Sequence, residues 1–347
     1  MTVRASVLIP THDQPTTLPV TVDTVLHQTV DDLEVLLIGD GVSPAARRAI
    51  DRLVAVDERV RFLDFPKGPH HGERYRHDAV DAARSDAIFY LCDDDLLLPD
   101  HVADLLALLT EHTLVQSLNG HLDTQGRVHL YAADLSDPET IALHLRDDVR
   151  FNAVSITGTA HSKAFYLEVG EHWDTTPAGA WPDHHQWRRL MRHASFRGAT
   201  SSRMTALQFP TSADDRHTWN PAERHSEIEP WHRLVRAPGG QDHVDELVRR
   251  GAVAQLAEER RAVVLVAHDR ELAWQGIEAA HAALAELELA RGEAHRLSEV
   301  QLASARDAHA RLAAALDVAE GYRVGLVAWR ENAERLRERL RRARGRE

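Results

Sequence analysis

Three consecutive aspartates, Asp93–Asp95, have the clearest chemical potential in this sequence. They directly follow the apolar run Ile88–Cys92, whose length and aromatic and aliphatic content predict a buried strand. Because adjacent carboxylates are costly to bury without partners, we expect them at the carboxyl end of that strand, where open α/β sheets bind ligands. Clustered oxygen ligands suit Mg²⁺ or Mn²⁺, which usually share their shell with substrate phosphates. The alternative is a solvated turn whose aspartates cap the helix after Pro99.

Other polar side chains follow the strands predicted for the first third of the chain. The run Val3–Pro10 ends before Thr11 and Asp13, and the run Leu33–Ile38 ends before Asp40. Strand patterns alternate with helical patterns over short connections, which predicts parallel strands joined by right-handed crossovers. Since parallel strands end at one edge of a sheet, we expect these side chains to converge with the three aspartates.

Composition excludes several classes of function. No GxGxxG follows the first strand and no GxxxxGK[ST] follows any strand, which disfavours a dinucleotide site and a P-loop. A net charge of −13 argues against general nucleic-acid binding. The single cysteine, Cys92, rules out an intramolecular disulfide and is typical of a reducing compartment. With no apolar run near the ~18 residues of a membrane span and no signal-peptide pattern at the N-terminus, we expect a cytoplasmic protein.

The second half of the chain changes character. Antiparallel strands are predicted from Leu114, followed by short helices and a loop-rich segment, Pro210–Pro238. After Gly240 there is no proline, and strong helix formers dominate, with apolar residues near heptad spacing. We therefore expect an α/β domain over residues 1–238, with halves at 1–112 and 113–238. An all-α extension over 239–347 is expected to form a long helix or coiled coil and a homo-oligomer.

The last stretch, Trp329–Arg346, is rich in arginine around two leucines. One interpretation is the solvated end of a coiled coil. The other is contact with a partner or with anionic lipid, which would place the protein peripherally at the inner face of the membrane.

Four motifs, in the same order, resemble those of the family 2 glycosyltransferases, which have the GT-A fold. They are Val7–Asp13, Leu36–Gly41, the segment from Gly72 to Arg76-His77, and Tyr90–His101. The resemblance extends over residues 3–209 and implies a nucleotide-binding sheet of mostly parallel strands. In two places the sequence departs from the family's usual residues, with His77 replacing asparagine and Cys92 replacing the first aspartate of the acidic motif.

This resemblance implies inverting, metal-dependent transfer of a sugar from a nucleotide-diphosphate donor, typically a UDP-sugar, to a hydroxyl group. The acceptor is a glycan, a lipid-linked molecule or a small molecule. A Mg²⁺ or Mn²⁺ ion neutralises the departing diphosphate. Its implied ligands are Asp94 and Asp95. The loop 214–219 is expected to close over the donor, where His217 or Arg216 would complete the metal or diphosphate site. The residues implied in nucleotide-sugar binding are Pro10, Thr11, Asp13, Asp40, Arg76, Asp93 and Trp181.

Each of these side chains also has a structural interpretation. Asp40 lies between glycines, as a turn-stabilising aspartate does, and Trp181 is in a loop where it can simply pack. His217 is one of 23 histidines, most of which are expected to be structural or on the surface.

An inverting transfer also needs a base for the acceptor hydroxyl. In the family a Glu-Asp pair at a helix N-terminus supplies it, and Trp181-Pro182-Asp183 matches that layout with Pro182 in place of the glutamate. The resemblance therefore implies Asp183 as the general base. The alternative is an N-cap for a helix over Asp183–His193.

Two other functions remain open. A sugar-nucleotide nucleotidyltransferase also combines an α/β domain with carboxylate-bound Mg²⁺, but its early Gly-rich basic loop has no counterpart after the first strand. A catalytically degenerate GT-A scaffold, assembled through a coiled coil, is compatible with the departures at His77, Cys92 and Pro182.

Overall fold

The computed structural model describes residues 2–294 and 309–320. These residues divide into two compact units, one ending at Val253 and the other beginning at Ala254. The domain boundary at residues 238 and 239 stays a prediction, as do the two halves of the first domain. The arginine-rich segment Trp329–Arg346 lies outside the described residues. Within the described part, no helix is long and apolar enough to cross a membrane.

The strands of the described chain form one large sheet and two short ribbons. Their bounds are β1 Ala5–Thr11, β2 Leu33–Asp40, β3 Val60–Phe65, β4 Ala87–Tyr90, β5 Leu96–Leu97, β6 Leu114–Gln116, β7 Gly120–Leu122, β8 Val128–Leu130, β9 Thr159–Ser162, β10 Gly198–Thr200 and β11 Ala206–Leu207. The helices are α1 Leu18–Leu26, α2 Pro44–Val56, α3 Tyr75–Ala82, α4 His101–Leu108, α5 Pro138–Leu145, α6 Lys163–Val169, α7 Pro182–Met191, α8 Pro221–Arg236 and α9 Gly240–Ala294, with a 3₁₀ turn at Arg216–Thr218.

The large sheet confirms the predicted α/β class. Its strand order is β10-β6-β9-β4-β1-β2-β3, and β9 is the one strand of this sheet that pairs antiparallel to both of its neighbours. The pairs β1–β2, β1–β4, β2–β3 and β6–β10 are all parallel. The carboxyl ends of β1, β2 and β4 therefore lie at one edge, as the sequence predicts.

Two hydrophobic layers bury both faces of the central strands. Alternate residues of β1 point to opposite faces: Val7 and Ile9 pack with helices α1, α2 and α4, while Leu8 packs with α3, α6 and α7. This burial on both sides explains why β1 and β2 are nearly continuous apolar runs.

A third hydrophobic cluster attaches α8 to the strands that follow the aspartates. Ile228 and Val235 of α8 pack with Leu96 and Leu98 around β5 and with Phe209 after β11. Strands β5 and β11 are paired antiparallel, so chain segments more than 100 residues apart meet beside the aspartate turn. The antiparallel strands predicted after Leu114 are present, although β6 joins the large sheet and only β7 and β8 pair as a hairpin.

The all-α C-terminal extension is confirmed as far as the chain is described. Helix α9 runs unbroken for 55 residues, and residues 309–320 are also helical. Several of its large apolar side chains are exposed, including Leu256, Val264 and Trp274. Coiled-coil pairing and oligomerisation of this helix remain predictions.

Candidate active site

Asp40, the last residue of β2, is enclosed by the loop that leads into α3. Its carboxylate pairs with Lys67 Nζ and accepts the backbone N–H of Gly68 at 2.6 Å. Gly72 passes so close that a Cβ there would lie 2.5 Å from Asp40 Cγ, and its φ of +62° also favours glycine. The protein itself thus supplies partners for both oxygens of the carboxylate implied in base recognition.

The residues at the end of β1 occupy the same edge. Thr11 is buried, Pro10 is half-buried, and Asp13 is exposed and accepts a hydrogen bond from Ser43 Oγ at 2.5 Å. His12 Nδ1 lies 2.7 Å from the backbone oxygen of Asp40, which links the ends of β1 and β2.

The aspartates form a tight turn after β4, closed by a hydrogen bond from Asp95 N–H to the Cys92 carbonyl. Asp95 accepts hydrogen bonds on both carboxyl oxygens, from Thr157 Oγ1 at 2.5 Å and from the Phe209 amide at 2.8 Å. Burial, together with the neighbouring Asp94 charge, raises the pKa of Asp95 to about 8 and that of Asp93 to about 7. Asp95 therefore fastens the turn to two distant segments.

Asp94 is engaged by an arginine that the sequence did not single out. Arg224 Nη2, from the first turns of α8, lies 2.7 Å from Asp94 Oδ2 and also donates to the Phe209 carbonyl at 2.8 Å. Burial raises the pKa of Asp94, although the Arg224 charge opposes that effect. Both Asp94 and Arg224 are buried.

The ion pair continues into a buried network. Arg224 Nη1 donates to Glu227 Oε2 at 2.7 Å, and Glu227 also binds Arg216, whose Nη2 lies 2.5 Å from its Oε1. Arg216 is fully buried and donates to the Leu122 carbonyl at 2.9 Å. The adjacent His217 is exposed on the 3₁₀ turn.

These positions test whether a divalent ion fits the residues present. Among residues 2–294 and 309–320, no three His, Cys, Asp or Glu side chains are grouped so that they could hold a metal ion. Asp94 has an arginine on one oxygen, and both oxygens of Asp95 accept hydrogen bonds from the protein. The donor set therefore does not fit Mg²⁺ or Mn²⁺ in this arrangement.

Arg76, in α3, is a buried arginine of a different kind. Its guanidinium packs over the Trp173 ring at 4.6 Å from the ring centroid. Its Nε and Nη1 atoms are buried and have no hydrogen-bond partner among the described residues. Burial lowers the pKa of Arg76, and the nearby acidic groups, including Cys92 and Asp183, partly offset this effect.

Asp183 is the second residue of α7, whose N-cap is Trp181. Its Oδ1 accepts the His184 amide at 2.8 Å, and its Oδ2 accepts Asn152 Nδ2 at 3.2 Å. Burial raises the pKa of this carboxyl, while the Arg76 charge acts in the opposite direction. A carboxylate whose pKa is raised accepts a proton more readily than a free one, which is the capacity that a general base needs.

Trp181 is 42% exposed and stands at the entrance to α7. The guanidinium of Arg150 lies over its ring at 3.7 Å. The His184 ring lies edge-on to it, with the ring centroids 6.2 Å apart, so part of the Trp181 surface is already covered by its neighbours.

Sequence reasoning missed Arg224, Glu227, Thr157 and Asn152. A weak signal for the first two was present, because Asn220-Pro221-Ala222-Glu223 is a helix-start pattern and Arg224 and Glu227 follow at spacing i, i+3. Nothing in the sequence links that helix to an aspartate 130 residues earlier.

Residues 6–150 match the model of the glycosyl transferase family 2. A curated relative, the GalNAc(5)-diNAcBac-PP-undecaprenol beta-1,3-glucosyltransferase of Campylobacter jejuni, is 23% identical over 111 residues. That alignment covers 31% of this chain and 35% of the relative, so the chain spans about a third of that protein's length.

Two solved structures show only a distant likeness. One is S. aureus TarS 1-349 in complex with UDP-GlcNAc, with 12% identity and a TM-score of 0.47 over 72% of this chain and 71% of that one. The other is the mannosyltransferase PcManGT from Pyrobaculum calidifontis in complex with GDP-Man and Mn²⁺, with 16% identity and a TM-score of 0.46 over 90% and 86%. The family match coincides with strands β1 to β8 and includes the aspartate turn. Residues 6–150 are therefore similar to a family 2 glycosyltransferase domain.

Proposed function

We propose that this protein transfers a sugar from a nucleotide-diphosphate donor to a hydroxyl group, with inversion at the anomeric carbon and Asp183 as the general base. The observation that supports it most directly is that two buried groups of opposite charge, Arg76 and Asp183, lie near enough for each to influence the pKa of the other. Arg76 has N–H groups without a partner among the described residues, and burial raises the pKa of the Asp183 carboxyl. Anion binding and proton abstraction are the two capacities that such a transfer requires.

In the proposed reaction the acceptor hydroxyl attacks the anomeric carbon while Asp183 takes its proton. A carbon–oxygen bond forms on one face of the sugar, and the bond to the diphosphate breaks on the other. The electron pair leaves with the nucleoside diphosphate, whose negative charge is met by the N–H groups of Arg76. Asn152 and the His184 amide hold the carboxylate in place.

The nucleotide is proposed to lie along the carboxyl edge of β1, β2 and β4. Pro10, Thr11 and Asp13 end β1, Asp40 ends β2, and Asp93 follows β4. The donor nucleotide is proposed to be UDP, and the family resemblance is the basis for this choice. Trp181, which is 42% exposed at the entrance to α7, is proposed to stack on a sugar.

The Mg²⁺ or Mn²⁺ ion that the resemblance implies at Asp94, Asp95 and His217 is not part of the proposed reaction. Arg224 lies on one oxygen of Asp94, and both oxygens of Asp95 already accept hydrogen bonds.

The proposal extends to the class of acceptor and to the location of the protein in the cell. The Campylobacter relative is named as acting on an undecaprenol-diphosphate-linked glycan, so a lipid-linked hydroxyl acceptor is one candidate. That candidate agrees with a cytoplasmic protein that touches the inner face of the membrane and assembles through α9.

One observation favours a second candidate, the degenerate scaffold. Asp94, the implied metal ligand, is paired with Arg224, and Cys92 and Pro182 replace acidic residues of the family motifs. A scaffold would bind no nucleotide, so the same experiment separates the two functions.

The experiment is a thermal-shift screen with UDP, dTDP and GDP and their sugars, followed by NMR of any product. We expect one nucleotide to raise the melting temperature, by mass action on the folded state. We also expect that the product sugar has the anomeric configuration opposite to that of the donor. A shift with none of the nucleotides would contradict the proposed function, and retention of configuration would contradict the role of Asp183.

A further inference from the structure

We infer that Arg224 takes the place of a divalent metal in this domain, so that the donor diphosphate is bound without Mg²⁺ or Mn²⁺. The inference deepens the proposed function and rests on it for the nature of the donor. Its basis is the position of the guanidinium, which lies on the carboxylate that the family resemblance assigns to the metal.

The contacts of Arg224 make it a built part of the site. Nη2 bridges Asp94 Oδ2 and the Phe209 carbonyl, and Nη1 binds Glu227. The side chain is 3% exposed, and Nε is buried without a partner in the described part of the chain. One N–H group of a planar, permanently charged donor is therefore still available for an acceptor such as a phosphate oxygen.

Helix α8 holds Arg224 firmly. Asn220 and Glu223 form a capping box at its start, and Ile228 and Val235 pack into the cluster around β5 and β11. Withdrawing Arg224 would leave Asp94 and Glu227 buried with one cation fewer, which strongly disfavours the withdrawn state. The guanidinium is therefore a fixed feature of the site, as a bound ion would be.

Arg224 neutralises Asp94 before any ligand binds. Each arginine of the network lies between two carboxylates, Arg224 between Asp94 and Glu227, and Arg216 between Glu227 and Asp214. In a metal-dependent site, an aspartate without a bound ion would repel the negatively charged diphosphate. Here that aspartate is neutralised in advance, and a divalent ion next to Arg224 would be repelled.

The first test measures Mn²⁺ binding without any donor, by electron paramagnetic resonance of the full-length protein. We expect the wild type to leave Mn²⁺ in solution. We also expect that UDP, or whichever nucleotide the thermal-shift screen identifies, raises the melting temperature equally in EDTA and in MnCl₂. Stoichiometric Mn²⁺ binding that is lost in Asp94→Asn would overturn the inference, as would a nucleotide shift that EDTA abolishes.

The second test converts the site. Arg224→Gln frees Asp94, so we expect this variant to lose at least ~10-fold in nucleotide affinity in EDTA, because a charged donor is removed. It should gain Mn²⁺ binding that disappears when Asp94→Asn is added. Arg224→Lys keeps the charge and should exclude Mn²⁺ as the wild type does. Undiminished nucleotide binding by Arg224→Gln in EDTA would overturn the inference.

Arg61→Gln is the matched control. Arg61 Nη1 lies 2.7 Å from the buried Glu34 at the other end of β2, so this variant breaks a comparable ion pair away from the site. It should change neither Mn²⁺ nor nucleotide binding. If Arg224→Gln fails to fold, the wild-type and Arg224→Lys measurements still decide the question. A protein that binds no nucleotide at all would remove the proposed function, whereas Mn²⁺ bound by the wild type overturns the Arg224 inference on its own.

Discussion

Arg76 and Arg224 are both buried arginines near the aspartate turn, but the protein treats them in opposite ways. Arg224 has a carboxylate on each terminal nitrogen, whereas Arg76 stacks on Trp173 and has two nitrogens without a partner in the described residues. A buried cation without a carboxylate is costly unless a ligand completes it. Under the proposed function both arginines face the diphosphate: Arg76 has two nitrogens to offer it, and Arg224 has one and also neutralises Asp94 before the donor binds.

The largest expected effect is on the Arg76 side of this comparison. Asp183→Asn removes the proposed base while keeping the shape of the side chain, so we expect kcat for sugar transfer to fall by about 10²–10⁴-fold. The measurement is transfer with the donor and acceptor found by screening. Asp137→Asn is the control, because Asp137 also accepts amides at a helix N-terminus, that of α5. Equal loss in both variants would show that only helix capping had been disturbed.

Arg76→Gln should have the next largest effect. Loss of the positive charge that meets the departing diphosphate is expected to lower kcat/KM by about 10²-fold. Steady-state kinetics with Arg74→Gln as the control checks this, since Arg74 is two residues away and exposed. Full activity in Arg76→Gln would contradict the role of Arg76 and leave Arg224 as the arginine that meets the diphosphate.

A smaller effect is expected from Gly72→Ala. The added Cβ would collide with the Asp40 carboxylate, and the left-handed backbone at this position is strained for any residue with a Cβ. Positive-φ strain alone costs about 1–3 kcal/mol of folding free energy, and this variant should lose more than that. Gly170→Ala is the matched control, because Gly170 has φ of +71° and no atom within 4 Å of the added Cβ. Chemical denaturation of the two variants should therefore differ, and nucleotide binding should weaken only in Gly72→Ala.

The smallest effect is the dependence of stability on pH. Because the folded-state pKa of Asp183 is raised by burial, its contribution to stability is complete below the unfolded pKa and is lost as pH rises through the folded value. Asp183→Asn should therefore be more stable than the wild type at neutral pH, and the advantage should vanish in acid. On the same basis, wild-type kcat should fall as pH drops and Asp183 becomes protonated. A variant that is less stable at neutral pH would contradict the direction of this pKa shift.

How much of this site could be foreseen differs between its parts. The apolar runs that become β1, β2 and β4 are local signals, and the polar residues after them had to share an edge once the strands were parallel. Asp183 was found through the family resemblance alone. The partners of Asp94 and Asp95 come from residues 157, 209 and 224, and no local pattern encodes which distant segment folds onto a turn. Charge complementarity between remote residues becomes visible only after the chain has folded.

The pairing of the aspartate turn with Arg224 and Phe209 has a consequence for the order of events during translation. When the turn is synthesised, its cationic partner is still 130 codons from being read, and the strand that pairs with β5 is more than 100 codons away. The parallel strands β1 to β4 can meet at once, but the acidic turn has to wait in water until α8 emerges. A nascent chain arrested at residue 150 contains the whole family match and strands β1 to β4. It would therefore form part of the sheet but lack the partners of Asp94 and Asp95.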